Sequence, residues 1–132
     1  MPRRAKPDAL SLALGARIRE LREEAGLTLE RLAFESDLGS KGHLSNIEHG
    51  LVRPTAHTLR TLSDRLGVEL ADMVTFPDAG DRGRLFELTR RMAATRVRTL
   101  LHEAEEIVAR TPRLRAAEGT GSYRPHRRPG SI

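Results

Sequence analysis

The chain has 132 residues, enough for one compact domain, and a core must come from Leu, Ile, Val, Ala and three Phe, with one Tyr and no Trp; so much Leu and Ala favours helices over strands. It holds no Cys, which excludes disulfides and thiolate zinc sites. All but two of its 23 basic residues are Arg and the net charge is +5, so an anionic partner is expected, nucleic acid foremost, because the guanidinium fork pairs with phosphates and base edges.

Residues 1–9 read as a basic arm with Pro2 and Pro7 and no periodicity. The residues after this arm form an amphipathic pattern rather than an unbroken apolar run, and no segment is long enough to span a bilayer, so a cytoplasmic protein with no membrane partner is expected. Residues 10–76 carry helical periodicity broken at short intervals by turn signals. A first helix buries Leu14, Ile18 and Leu21 and stops at Gly26; Thr28 caps a second, which turns Leu29, Leu32 and Ala33 inward. After Asp37-Leu38-Gly39, Ser40 caps a third helix with Leu44 and Ile47 on its inner face. Helices joined by so few residues cannot lie as an antiparallel hairpin; they must cross steeply, as a helix-turn-helix does. Thr55 caps a fourth helix that buries Leu59, Leu62 and Leu66 and ends at Gly67, and residues 68–74 supply a fifth with Leu70 and Met73, after which Phe76 folds back onto the bundle.

Residues 77–83 read as a linker from their Pro, Gly and Asp content. Residues 84–110 show one long helical pattern in which Phe86, Ala93, Leu100 and Ile107 recur every seven residues, with Val97 and Ala104 between them and Arg90 as a polar interruption. A further stripe through Leu85, Leu88, Met92, Leu101 and Val108 makes this face too broad to stand alone in water; it either packs back on the domain or forms a homodimer. Residues 111–132 form a Gly-, Pro- and Arg-rich tail, with Arg113, Arg115, Arg124, Arg127 and Arg128, that reads as disordered and either solubilises the chain or tethers it to DNA. No phosphate-cradling loop, nucleophile motif or paired carboxylates suggest an enzyme, and no cofactor or metal is expected. His43 and His49 are six apart, off a common helix face, with no Cys to assist.

The run from Leu14-Gly15-Ala16-Arg17-Ile18 through Gly26-Leu27-Thr28, then Leu32-Ala33, Leu44-Ser45-Asn46-Ile47-Glu48-His49-Gly50, Arg53-Pro54-Thr55 and Leu66-Gly67-Val68, resembles the Cro and phage-repressor class of helix-turn-helix proteins, the XRE family. The resemblance covers residues 12–76 and implies an all-α, five-helix lambda-repressor-like domain that binds double-stranded DNA by inserting helix 40–49 in the major groove. Two departures stand out. The turn Asp37-Leu38-Gly39-Ser40 is one residue longer than the family's Gly-Val-Ser, and Leu29 stands where some relatives carry a polar, phosphate-reaching residue.

In that register, Lys41, Gly42, Ser45, Asn46 and His49 lie on the outer face of the third helix. Lys41 suits guanine and Asn46 adenine, while Gly42 lets backbone approach the duplex. Thr28, Ser40, His43 and Arg53 complete the expected DNA-binding set through phosphate contacts, each with the alternative of plain solvation. The resemblance also implies an ion pair, Arg22 with Glu48, that fixes the third helix on the scaffold. The expected function is that of a sequence-specific transcriptional regulator, a repressor acting as a homodimer through Phe86, Ala93, Val97, Leu100, Ala104 and Ile107. The alternative is an antitoxin-like or adaptor protein whose C-terminal helix binds a protein partner.

Overall fold

The computed structural model describes residues 6–78 and 80–111. Seven helices occupy them: α1 (Ala9–Glu24), α2 (Leu29–Glu35), α3 (Lys41–Glu48), α4 (Ala56–Leu66), α5 (Leu70–Val74), α6 (Asp81–Arg90) and α7 (Ala94–Arg110), with no strand among the described residues. The chain divides into two compact units after Met92.

Local signals set the boundaries in the first unit. Asp8, Thr28, Ser40 and Thr55 cap α1 to α4 by accepting from the backbone N–H three residues on, satisfying a donor that the first helical turn leaves free. Glu69 and Asp72 form a reciprocal capping box at α5. At the other ends, Gly26, Gly50 and Gly67 have φ near +70°, the left-handed geometry that closes a helix and that Gly adopts without a Cβ penalty. α1 starts at Ala9, so the expected 1–9 arm is helix in its last residue and cap in the one before; residues 1–5 lie outside the described ones.

Apolar stripes then meet in a single core. Ile18 and Leu21 of α1, Leu32 and Ala33 of α2, Leu44 and Ile47 of α3, Leu62 and Leu66 of α4 and Met73 of α5 are buried, with Leu14, Leu27, Leu29, Leu38, Val52, Leu59 and Val68 packed around them. Each fully buried Leu or Ile contributes roughly 2 kcal/mol from area removed from water. α1 packs on α3 and α5, α2 on α3 and α4, and α4 on α5. The α1–α3 crossing is close enough that a Cβ on Gly15 would stand 2.4 Å from the Glu48 carbonyl oxygen and 2.5 Å from that of Ile47. Phe76 is half-buried and lines one hollow with Ala13, Ala16 and Arg17 of α1.

Two expectations fail beyond Phe76. The 77–83 linker already contains the start of α6 at Asp81, and the single helix expected over 84–110 is two helices separated at Arg91, Met92 and Ala93. The reason is tertiary. Buried Arg17 of α1 binds Glu87 of α6 at 2.5 Å and the Asp72 carbonyl oxygen at 2.9 Å, while Arg90 and Arg91 reach Glu24 of α1 at 2.9 and 3.1 Å. Charge-assisted bonds thus hold α6 against α1, and its last turn closes before α7 begins. Ala93 is the extended residue before α7 and offers no capping side chain. The seven-residue seam is therefore interrupted, with Phe86 on α6 and Ala93 between helices. Only Val97, Leu100, Ala104 and Ile107 of that seam share α7, which buries none of its residues. The expected basic tail lies outside the described residues from 112 onward.

Candidate nucleic-acid interface

α3 is held at both ends and along one side. At its start, the Ser40 hydroxyl accepts from the His43 N–H at 3.2 Å. Leu44 and Ile47 are 0% and 1% exposed, which fixes the helix's rotation about its own axis and sends the residues between them outward. Near its end, Arg22 donates two bonds to the Glu48 carboxylate, at 2.7 and 3.1 Å, and a third to the Leu27 carbonyl at 2.8 Å. Both side chains are buried, so the pair serves to locate the helix; its Coulomb gain is largely offset by desolvation. Glu48 raises the Arg22 pKa above its ordinary value, chiefly through these hydrogen bonds.

The outer face carries Lys41, Gly42, His43, Asn46 and His49 exposed and Ser45 half-buried. Gly42 has open space around it, the nearest atom to a built Cβ being Ser40 Oγ at 3.8 Å. His49 turns back on its own helix, with Nδ1 2.7 Å from the Ser45 carbonyl oxygen. Among the described residues no cluster of three or more His, Asp or Glu is placed to hold a metal ion.

The other expected residues lie on the elements that flank α3. Thr28 caps α2 through the Arg31 N–H at 3.1 Å, and Leu29 is half-buried against the core, so α2 presents its N-terminal amides rather than a polar side chain at that position. Arg53 comes after α3 in the loop and is 81% exposed. Two of these cations are already engaged. Lys41 Nζ lies 2.8 Å from Glu30 Oε1, and Arg53 Nη2 lies 2.5 Å from Asp8 Oδ2. The Ser11 N–H and then Arg53 hold the Asp8 carboxyl down at about 2, and Glu30 raises the Lys41 pKa. Sequence reasoning missed both carboxylates. Asp8 was readable as a helix cap, since it precedes the apolar run of α1, whereas nothing in the sequence marks Glu30.

The face is thus an exposed helix, N-capped, carrying donors outward and seated on a rigid core. A helix-turn-helix domain family model matches residues 13–76. A control protein of Bacillus amyloliquefaciens, C.BamHI, is 30% identical over 73 residues, covering 54% of this chain and 89% of that protein. The chain belongs to the XRE family of helix-turn-helix regulators. It is also similar to an HTH-type transcriptional regulator, y4dJ, of Sinorhizobium fredii, at 38% identity over 65 residues, 49% of this chain and 83% of that one. DdrOP3, an HTH-type transcriptional regulator of Deinococcus deserti, is 35% identical over 63 residues, and the chain spans about half of it (48%). In this XRE-family chain the matched segment ends at Phe76, so α6 and α7 lie beyond the shared domain.

Proposed function

We propose that this chain is a sequence-specific DNA-binding regulator of transcription, a repressor that acts in the cytoplasm as a homodimer and works by binding rather than by catalysis. The observation that supports it best is α3: buried on Leu44 and Ile47, clamped by Arg22–Glu48, and presenting Lys41, Gly42 and Asn46 to solvent. A helix so fixed enters a major groove with its N-terminal residues foremost. Lys41 then donates to guanine, and the Asn46 amide pairs with adenine through two bonds. Ser45 and His43 flank these contacts, while Thr28, Ser40 and Arg53 bind phosphates. His49, turned toward Ser45, serves the helix end in preference to a base.

Dimerisation is assigned to α7, through Val97, Leu100, Ala104 and Ile107. Support comes from its apolar residues, with Leu101, Ile107 and Val108 being 56%, 65% and 72% exposed. A two-fold homodimer suits a palindromic site, whose half-sites lie about one DNA turn apart. Phe86 and Ala93 are left out of this seam because α7 does not contain them.

The test is selection of bound duplexes from a random pool, and then Asn46→Ala. That change should weaken the selected site by roughly 1 to 3 kcal/mol and relax preference at one base pair. Equal losses on selected and random duplexes would show that Asn46 serves backbone binding or folding, and sink its base-reading role. A heterologous protein copurifying in stoichiometric amount through α7 would favour the adaptor reading over the homodimer.

A further inference from the structure

A carboxylate stands against a DNA-facing cation at each end of α3. Glu30, on α2, meets Lys41 in the first turn of α3; Asp8, at the start of α1, meets Arg53 in the loop after α3. We propose that Asp8 and Glu30 are anionic stand-ins for phosphate that occupy Arg53 and Lys41 in the free protein and so limit its affinity for DNA, most of all at a site that engages both cations. The proposal rests on the DNA-binding reading of α3.

The two carboxylates differ in how they are held. Asp8 is fixed: one oxygen accepts the Ser11 N–H at 2.8 Å, and the other accepts the Ser11 hydroxyl at 3.0 Å as well as Arg53. It cannot follow Arg53 toward a duplex, so it stays behind as a negative charge facing the phosphates. Glu30 is 71% exposed and Lys41 59% exposed, so that pair opens readily. An exposed pair of this kind holds its cation by a factor of about five at most. Contacts to base edges at a cognate site outweigh such a factor. Random DNA offers only phosphate attraction, and there the intact pairs keep two cations out of the count of released counterions. The carboxylates therefore limit cognate binding by the full strength of the broken pairs, and random binding by no more than that.

The experiment is a salt titration of full-length wild type and an Asp8→Asn/Glu30→Gln variant on two probes: a random-sequence duplex and the duplex that wild type selects from a random pool. Asn keeps the cap on Ser11, so α1 should form as before, and a helical circular dichroism signal checks it. Asp64→Asn, which removes one carboxylate from the exposed Arg60 pair on α4, controls for net charge. The double variant should bind the random duplex about tenfold more tightly near 0.1 M salt, with a salt slope steeper by up to about 1.8, one phosphate contact per freed cation. Affinity for the selected duplex should rise at least as much, up to about twenty-five-fold for the two pairs, with an unchanged slope because wild type already engages both cations there. An unchanged random-duplex slope, no gain on the selected duplex, or the same gain from Asp64→Asn as from Asp8→Asn or Glu30→Gln measured alone overturns the proposal. If wild type binds neither probe in a salt-dependent way, the DNA-binding reading itself fails; if it binds and the double variant behaves identically, only the stand-in role does.

Discussion

Gly15→Ala tests whether the α1–α3 crossing is as tight as the geometry requires. The new methyl would sit 2.4 Å from the Glu48 carbonyl oxygen, 2.5 Å from that of Ile47 and 2.8 Å from the Glu48 carbonyl carbon. These are backbone atoms, so no side-chain rotation relieves the clash. Restoring a carbon–oxygen contact of about 3.3 Å moves the end of α3 by about 0.9 Å. That carries Glu48 away from Arg22, whose bonds of 2.7 and 3.1 Å have little slack, and loosens Ile47 in the core. Overpacking of this kind costs roughly 1 to 3 kcal/mol, and a weakened charge-assisted bond adds to it. Against this, Ala gains about 1 kcal/mol over Gly within a helix. The clash wins, for a net loss of about 2 kcal/mol, which at a urea slope near 1 kcal/mol/M lowers the unfolding midpoint by about 2 M. Gly42→Ala is the matched comparison: its nearest neighbour is Ser40 Oγ at 3.8 Å, so the same substitution should be neutral or stabilising by up to about 1 kcal/mol. A Gly15→Ala protein as stable as wild type in urea melts would refute the close crossing.

Acid should unlock α6. The Glu87 carboxyl is held down to about 2, from an ordinary 4.5, by Arg90 first and then Arg17, so its contribution is complete above about pH 4.5 and drains away as pH falls toward 2. Urea melts at pH 7 and pH 3 should show Glu87→Gln losing less stability on acidification than wild type, by up to about 2 kcal/mol; parallel losses would remove Glu87 from the account. Leu100→Asp should convert the proposed α7 dimer to monomer in sedimentation while the domain at residues 10–76 keeps its helical signal, because a carboxylate would enter an apolar seam. A wild-type chain already monomeric at about 50 micromolar defeats that assignment.

What was legible in the sequence was local. Thr28, Ser40 and Thr55 announce helix starts because a hydroxyl there has a backbone donor to satisfy, and Gly26 and Gly67 announce stops because only Gly takes the left-handed turn without strain. The inward stripes of α1 to α4 came from period alone. The break at Arg91–Ala93 was not legible, since neither Gly nor Pro marks it and the helical pattern runs through it. It depends on Arg17, Glu24, Glu87, Arg90 and Arg91 meeting across more than sixty positions of sequence. In the site, the outer face of α3 was legible from its core residues. Asp8 and Glu30 were missed because a lone surface carboxylate reads as solvation until the fold brings a cation to it. Gly15 was misleading in its own way, for a helical Gly reads as a weak point although here it permits a contact.

The longer turn between α2 and α3 shows how a local departure is absorbed. At the end of α2, the Leu38 N–H donates to the Ala33 carbonyl at 3.1 Å and the Asp37 N–H to that of Phe34 at 3.3 Å, the paired closure that α1 and α3 also use. Here the left-handed residue is Asp37, with φ 53°, where a helix end ordinarily places Gly or Asn. Gly39 comes next in that region with φ 77°, reversing the chain a second time so that Ser40 arrives extended and caps α3. Leu38, between the two, packs on the core. The extra residue is therefore taken up by a second left-handed step, and Leu44 and Ile47 still reach the interior. What sets the outward face of α3 is the burial of those two side chains together with the Arg22–Glu48 clamp, not the number of residues in the turn.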